Sequence, residues 1–428
     1  MTALIVFAIF MAVILMGVPI GWAIGFVTTI SLAFCGGSYT ILPSKMITGI
    51  NSFTYLCIPF FILAANIMST GGITKRIFLF CDGLIGHVRG GLAHANVLAS
   101  MFFGGISGAA NADAVGLGKI EIEMMTEAGY ERPYSAAVTA ASAVLSPIVP
   151  PSNIFIIYAI AAGNVSVSSM FVGGIVPAII LTIGIITLNY YFAVKHNHPR
   201  REHFCGWRHL WQLLWKTMPA LFMPVIILGG ITAGIFTATE SSVIAGMYAI
   251  VVSAFFLRSL KWRDLYNAFA EAAKMTSVVV FIIAMASAMG WGITAMRIPQ
   301  LISQWSLSMA STPTQFLLIT FCLLTFTGMF LDVAPSILIL VPILLPAAAA
   351  FGVGALRFGL IVSLTLTVGL ITPPVGMLLF TTSTVAGISL SSMYKAIISY
   401  VFLELLLCLL ITLIPALTDF LPALLGYA

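Results

Sequence analysis

The chain has 428 residues, 61% of them hydrophobic and 7% charged, with a mean hydropathy of +1.12. Ordinary soluble domains carry about a quarter charged residues, and no aqueous core could bury this much apolar surface; a soluble enzyme, a disordered chain and a nucleic-acid binder are excluded. The net charge of +5, from 18 Lys+Arg against 13 Asp+Glu, is too small for a nucleic-acid surface and informs only by where the charges fall.

In chain order, apolar runs punctuated by Gly and Pro lie at 3–16, 19–34, 53–68, 93–125, 135–162 and 168–194. A second set lies at 218–236, 239–257, 275–294, 316–350, 358–386 and 396–417. Each run of sufficient length predicts a membrane-spanning helix; the first is short for a full crossing. It has no Lys or Arg before Lys45 and no cleavage signature, so it is read as retained and not as a secretory signal. Between the sets, 195–217 is the longest polar stretch and is read as a cytoplasmic amphipathic connector. Within it Trp207, Leu210, Trp211, Leu214 and Trp215 recur at helical spacing beside Arg208 and Lys216, the pattern of a helix lying in the interface. Segment 257–274 has the same character, and 38–52 is its expected counterpart. Six cysteines (Cys35, Cys57, Cys81, Cys205, Cys322, Cys408) are scattered without a CxxC and are read as packed thiols.

An internal repeat organises these runs. Pro150-Pro151 recurs as Pro373-Pro374 and VSVSSMF at 165–171 as ISLSSMY at 388–394, each at an offset of 223; Gly72-Ile73-Thr74 recurs at Gly292-Ile293-Thr294 and Gly104 at Gly328. Equivalent loops carry opposite Lys/Arg bias. Lys45 is alone in its loop, whereas the mate holds Arg258, Lys261, Arg263 and Lys274; Lys75, Arg76 and Arg89 face only Arg297. Because cytoplasmic loops keep the cations, the halves are read as inverted in the membrane. With 93–125 and 316–350 as re-entrant hairpins, 15 of 18 Lys/Arg fall inside, leaving Lys45, Arg297 and Arg357 outside, and both termini are periplasmic. Single tilted helices or full helical hairpins are the alternatives for those two runs. The expected fold is therefore an all-α polytopic membrane protein of two inverted repeats, 1–194 and 218–428. Each has about five crossings, one re-entrant hairpin and one broken helix (135–162 and 358–386).

Chemistry concentrates in the hairpins and breaks. FFGGISGAANADAVG at 102–116 is rich in small and oxygen-bearing residues; Ser107, Asn111 and Asp113 are candidate donors, tight helix packing being the simpler explanation. Asp332 lies mid-run in the second hairpin, where a carboxylate needs a cavity, an ion or a helix end to cap. The Pro-Pro pairs interrupt helices and free carbonyls for a small cation, while a half-helix N-terminus suits an anion. Glu240 reads as a helix cap, His94 as packing, and Glu404 has no reading. No phosphate loop, HExxH or GxSxG is present, which argues against ATP-driven transport and against an enzyme.

Taken in order, GVPIGWAIG (17–25), IPFFILAANIMSTGGITKRI (58–77), the first hairpin, SPIVPPSNIFIIYA, GIFTATESSVIAGMYA (234–249), GMFLDVAPSILILVPILLP and GLITPPVGMLLF resemble the DctM-like large membrane subunit of TRAP (tripartite ATP-independent periplasmic) transporters, across nearly the whole chain. The resemblance implies an elevator fold in a bacterial inner membrane, with a transport domain of hairpins and broken helices sliding against a scaffold. It implies sodium-driven import of an organic acid, a C4-dicarboxylate, sugar acid, sialic acid or keto acid, with two or more sodium ions. It implies as partners a small four-helix membrane subunit, expected here as a separate chain, and a periplasmic substrate-binding protein. Carried onto this sequence, one sodium site is Ser107, Gly108 and the Val149-Pro150-Pro151-Ser152 break, and the other is Gly328, Asp332 and the Thr372–Gly376 break, with Thr372, Pro373 and Gly376 as ligands. The substrate carboxylate is expected near Ser107, Asn111 and Ser152. Relatives often carry a second Ser in the first hairpin, where this chain has Ala.

Overall fold

The structure, a computed structural model, describes residues 9–10, 12–13, 16–35, 38–70, 72–201 and 203–427. Most of the 3–16 run, and the side chain of Cys35, lie outside the described residues. Everything described is helix, turn or connection. The helices are α1 (Ile20–Cys35), α2 (Ile41–Ile50), α3 (Cys57–Thr70, after a 3-10 turn at Phe53–Leu56), α4 (Ile73–Ile85), α5 (Gly91–Ser107), α6 (Ala110–Gly116), α7 (Gly118–Glu127), α8 (Arg132–Ala143), α9 (Asn153–Ala162) and α10 (Val167–Lys195). The second half continues with α11 (Trp207–Thr232), α12 (Ala238–Val251, extended by a π turn at Val252–Phe256), α13 (Trp262–Ala295), α14 (Ile298–Met309), α15 (Pro313–Phe330) and α16 (Val333–Ala350). It ends with α17 (Ala355–Gly369), α18 (Met377–Ala386), α19 (Leu390–Leu413) and α20 (Ala416–Leu424). Among the described residues, 8 helical segments are long and apolar enough to cross a membrane.

Helices begin where a short polar side chain can take up orphan backbone N–H groups. Ser166 accepts from Ser169 N (3.0 Å) at the start of α10, and Thr312 accepts from Gln315 N (3.3 Å) ahead of Pro313 at the start of α15. Glu240 is the cap the sequence suggested: it and Thr237 form a reciprocal capping box, with Thr237 N donating to Glu240 Oε2 at 2.8 Å.

Several boundaries differ from the sequence reading. The amphipathic stretch 207–217 is not a separate connector helix; nothing breaks it before the apolar run, so both form α11, with Trp207, Trp211 and Trp215 exposed in a row. Likewise 257–274 runs straight into the next apolar run as the 34-residue α13. The segments at 69–92 and 290–315, read as loops, contain α4 and α14; each is amphipathic, and α4 buries Ile73, Ile77, Phe78 and Cys81. Segment 38–52, expected as the counterpart of 257–274, holds a separate helix, α2, which lies on α13: a Cβ added at Gly49 would sit 2.2 Å from Ser287 Cβ.

Packing separates a frame from a centre. α13 packs along α1, α2 and α3, and α12 packs on α3 and α11. The centre is built by α5 on α8, α8 on α18 and α19, α15 on α17, and α9 on α16, around one large apolar cluster that includes Phe103, Phe155, Tyr158, Phe358 and Tyr400. Outside the spans, Arg201 of the connector pairs with Asp82 of α4; burial pushes the Asp82 carboxyl above its ordinary range and the guanidinium pulls it partly back.

Candidate functional site

The 93–125 run folds as α5, a left-handed turn at Gly108 (φ +60°), then α6 and α7; the 135–162 run breaks at 144–152 between α8 and α9. These two irregular stretches meet. A Cβ added at Gly108 would lie 3.0 Å from Pro151 O and 3.1 Å from Asn153 N, and Asn153 Nδ2 donates to Ser107 O (3.4 Å). One turn earlier, a Cβ at Gly104 would lie 2.6 Å from Ser146 Cα, so only glycine lets the hairpin backbone reach the break. Ser107 and Gly108 are thus set against the break at Pro151 and Asn153, the neighbours of Ser152, and Gly105 against Pro150 O; none of these contacts brings Val149 to the hairpin.

The second half repeats the arrangement. The 316–350 run divides at Leu331-Asp332 between α15 and α16, and the 358–386 run breaks at 370–376 between α17 and α18. Gly328 lies against the helix before the break; a Cβ there would sit 2.6 Å from Leu366 O and 3.0 Å from Gly369 Cα. Gly376 N donates to Met329 O (3.0 Å), stitching break to hairpin directly. Gly328 and Gly376 are therefore where hairpin and break touch, while Asp332 lies at the turn of the hairpin and Thr372 and Pro373 lie within the break. Both Pro-Pro bonds, Pro150-Pro151 and Pro373-Pro374, are cis.

The side chains are not equally free. Ser107 Oγ is buried without a partner, an oxygen held in the interior and unspent. Ser152, expected at the substrate, is spent: it caps α9 by accepting from Phe155 N (3.2 Å) while donating to Pro147 O. Thr372 Oγ1 donates to Val368 O (2.9 Å), so its hydroxyl proton is committed to its own helix. Asp332 caps α16, accepting from Val333 N (2.9 Å) through Oδ1 alone. The capping reading of Asp332 holds, and its second carboxylate oxygen is not used by the cap. Asn111 lies on α6, where Thr381 Oγ1 of α18 is 3.1 Å from its Oδ1, the contact that joins the first hairpin to the second broken helix.

Sequence reading missed Thr381, and it missed a buried polar chain behind the first site. Asn96 Nδ2 donates to Thr139 Oγ1 (2.8 Å), Ser142 Oγ to Asn96 Oδ1 (2.6 Å), Ser100 Oγ to Ser142 Oγ (3.0 Å) and Ser146 Oγ to Asp113 Oδ2 (2.7 Å). A signal existed: Asn96 and Ser100, and Thr139, Ser142 and Ser146, recur at three- and four-residue spacing, one stripe on each segment. His94 proved to be packing, as read, with Nε2 3.1 Å from Arg89 O and its ring over Tyr190. Among the described residues, no group of three or more His, Cys, Asp or Glu is placed to hold a metal ion; the oxygens on offer here are hydroxyls, backbone carbonyls and single carboxylates.

An all-helical, multi-spanning protein with two hairpin-and-broken-helix units meeting through Asn111 and Thr381 belongs to the class of polytopic membrane proteins with a polar interior. A family model described as the tripartite ATP-independent periplasmic transporter, DctM component, matches residues 7–417, and the chain belongs to that family of TRAP transporter large permeases. It is 35% identical to the sialic acid TRAP transporter permease SiaT of Haemophilus influenzae over 97% of this chain and 68% of that protein. It is 34% identical to the C4-dicarboxylate large permease DctM of Vibrio cholerae over 99% and 98%, and 32% identical to the 2,3-diketo-L-gulonate large permease YiaN of Escherichia coli over 97% of both. Among solved structures, the YdaH transporter of Alcanivorax borkumensis superposes with a TM-score of 0.63 at 12% identity, covering 88% of this chain and 87% of that one, which speaks to the fold alone.

Proposed function

We propose that this chain is the large membrane subunit of a sodium-coupled, binding-protein-dependent importer of an organic acid anion in a bacterial inner membrane. A small membrane subunit on a separate chain and a periplasmic binding protein would complete it. The observation that carries the reading is the convergence of each hairpin on a broken helix, with Ser107 Oγ buried and unspent at one meeting point and Asp332 half-spent at the other. Sodium would be held at Ser107, Gly108 and Val149–Ser152, and at Gly328, Asp332 and Thr372–Gly376. Its positive charge offsets the substrate carboxylate, whose passage through hydrocarbon alone is prohibitive. The substrate is expected at Ser107 and Asn111, with Ser152 acting through its cap. The two halves are read as inverted repeats, and the centre built by the hairpins and broken helices is read as the part that moves against the α1–α3, α12 and α13 frame. The organic acids named for the relatives support the substrate class and leave its member open.

The test is uptake of a labelled organic acid into proteoliposomes holding the chain with its small subunit, with and without loaded binding protein and an inward sodium gradient. Uptake requiring both is expected. Uptake without binding protein would make this a conventional symporter and overturn the partner reading. Asp332→Ala is expected to abolish sodium-driven uptake while the protein remains folded; unchanged uptake with unchanged sodium dependence would remove Asp332 from the mechanism.

A further inference from the structure

A cavity of about 640 Å³ lies where the frame faces the second hairpin, away from both hairpin-and-break contacts. Phe10, together with Val27 of α1 and Met289 of α13, forms its buried inner wall. Phe316 of α15 and Ile339 of α16 close the opposite side, and α14 lies across it. No charged residue lines it. Its hydroxyls are those of Ser31, Ser306 and Thr320, of which Ser31 already donates to its own helix at Val27 O (2.8 Å).

α14 is amphipathic, and its apolar face is turned into this space. Ile298, Leu301, Ile302, Trp305 and Met309 recur at three- and four-residue spacing and all line the cavity. Gln300, Ser303 and Gln304 fall on the other face, against Pro342 and Pro346 of α16. Leu301, Trp305 and Met309 are exposed, as are Ile319 and Leu323 on the facing rim of α15, so the cavity opens sideways between α14 and α15.

The possible occupants differ in what they need. Water needs several polar partners, and an apolar cavity stays dry. Leaving such a cavity empty costs stability in proportion to its volume. A helix of another chain is too bulky, since two turns of a cylinder about 10–12 Å across already exceed the space. Hydrocarbon is the solvent at the opening, because α13, α15 and α16 are each long and apolar enough to cross a membrane. A lipid chain arrives with a charged end, and a cation stands ready for it. Arg297, immediately before Ile298, is exposed and has no ion-pair partner among the described residues. A phosphate is the natural counterpart of a guanidinium.

We propose that this cavity is a phospholipid site, in which one acyl chain of a bilayer phospholipid enters between α14 and α15 and its phosphate pairs with Arg297. The chain completes apolar packing that the protein's own side chains leave open, and it joins the frame to the second hairpin. The inference needs only the membrane-spanning fold and is independent of the sodium and substrate readings.

The experiment is native mass spectrometry of the full chain in detergent, after incubation with palmitoyl-oleoyl phosphatidylglycerol. The wild type is expected to keep one phospholipid when detergent is stripped away. Ser306→Phe puts a ring into the cavity and is expected to lower the retained fraction several-fold without lowering the unfolding temperature. Thr320→Phe fills the space from the opposite wall and should do the same. Arg297→Gln leaves the cavity open and should retain less than the wild type; equal retention overturns the phosphate contact. Retention unchanged in both filling variants places the lipid elsewhere and overturns the proposal. So does a wild-type chain that holds detergent in preference to phospholipid, or one that forms a dimer which the filling variants dissolve, since a second copy would then cover the cavity. Should neither filling variant fold, the wild type decides. Its unfolding temperature in detergent should rise with added phospholipid, as binding to the folded state requires, and Arg297→Gln should need more lipid for the same rise. No rise, or an equal rise with glycerophosphoglycerol, the same headgroup without chains, overturns the proposal.

Discussion

The two hairpin-and-break units share a backbone device and differ in how the hydroxyls and amides between hairpin and break are used. In each, one glycine on the incoming hairpin helix presses on the partner segment, Gly104 on Ser146 and Gly328 on Leu366 and Gly369. In the first unit the hydroxyls and amides cross between helices: Asn96 to Thr139, Ser142 to Asn96, Ser146 to Asp113. In the second they fold back onto their own helices, Thr325 onto Phe321 O, Thr327 onto Leu323 O, Thr367 onto Ser363 O and Thr372 onto Val368 O. Close backbone approach is thus the common requirement for bringing a hairpin to a break. A chain of polar contacts between hairpin and break is an addition of the first unit, which also carries Ser107, Asn111 and the buried carboxyls of Asp113 and Glu121. The second unit is mainly apolar, with a single carboxylate, Asp332, where its hairpin turns.

If the backbone contact is the shared device, Gly104→Ala and Gly328→Ala should do equal and severe damage. A methyl 2.6 Å from a backbone atom cannot be relieved by a rotamer change. Overpacking costs about 1–3 kcal/mol even where side chains can yield, and here both should reach the top of that range. Thermal unfolding in lipid nanodiscs checks this; a mild effect at either site would show that the units are not held alike.

Ser146→Ala sharpens the contrast. It strips Asp113 of its cross-helix donor in a buried setting, which costs about 1–3 kcal/mol. Thr372→Val, the nearest equivalent in the second unit, removes a hydroxyl that only revisits its own helix and should cost less than about 1 kcal/mol. Equal losses in the two variants, measured in the same thermal assay, would mean that the polar chain adds no stability of its own.

This difference explains what could be read from the sequence and what could not. The Gly, Pro-Pro and small-residue punctuation marked both hairpins and both breaks, because backbone devices need particular residue types at particular positions. Asp332 was visible for the same kind of reason: a carboxylate in an apolar run must be doing something. Side-chain partnerships across helices leave a fainter mark, the three- and four-residue spacing of Asn96 and Ser100 and of Thr139, Ser142 and Ser146, which does not name the partner. Nothing in the residue types separates Ser146, which reaches another helix, from Thr372, which does not. Ser152 is expected near the substrate from the resemblance alone; the structure shows its hydroxyl capping α9, a role the residue type after a Pro-Pro break suits equally. The amphipathic stretches 207–217 and 257–274 differ in polarity from the apolar runs that follow, but the helix does not stop between them, so α11 and α13 run on where a boundary was expected. α4 and α14 were hidden for the opposite reason, being too polar to register as spans and too short to dominate a loop.

The smallest change expected to matter lies where the two units touch. Thr381 is the only side chain hydrogen-bonded to Asn111 among the described residues, and its hydroxyl sits between Asn111 Oδ1 at 3.1 Å and the Met377 carbonyl at 3.2 Å. One proton therefore chooses between a contact within α18 and a contact to the other unit. Thr381→Val keeps the shape, satisfies neither, and should cost about 0.5–1.5 kcal/mol of stability at most. If the joint only holds the units together, uptake should fall in proportion to the loss of folded protein. If Asn111 is a substrate contact that Thr381 orients, the apparent affinity for substrate-loaded binding protein and substrate should weaken while maximal uptake is retained, and Thr381→Ser should restore it. A Thr381→Val protein with wild-type concentration dependence would detach Asn111 from the substrate and leave the joint as packing alone.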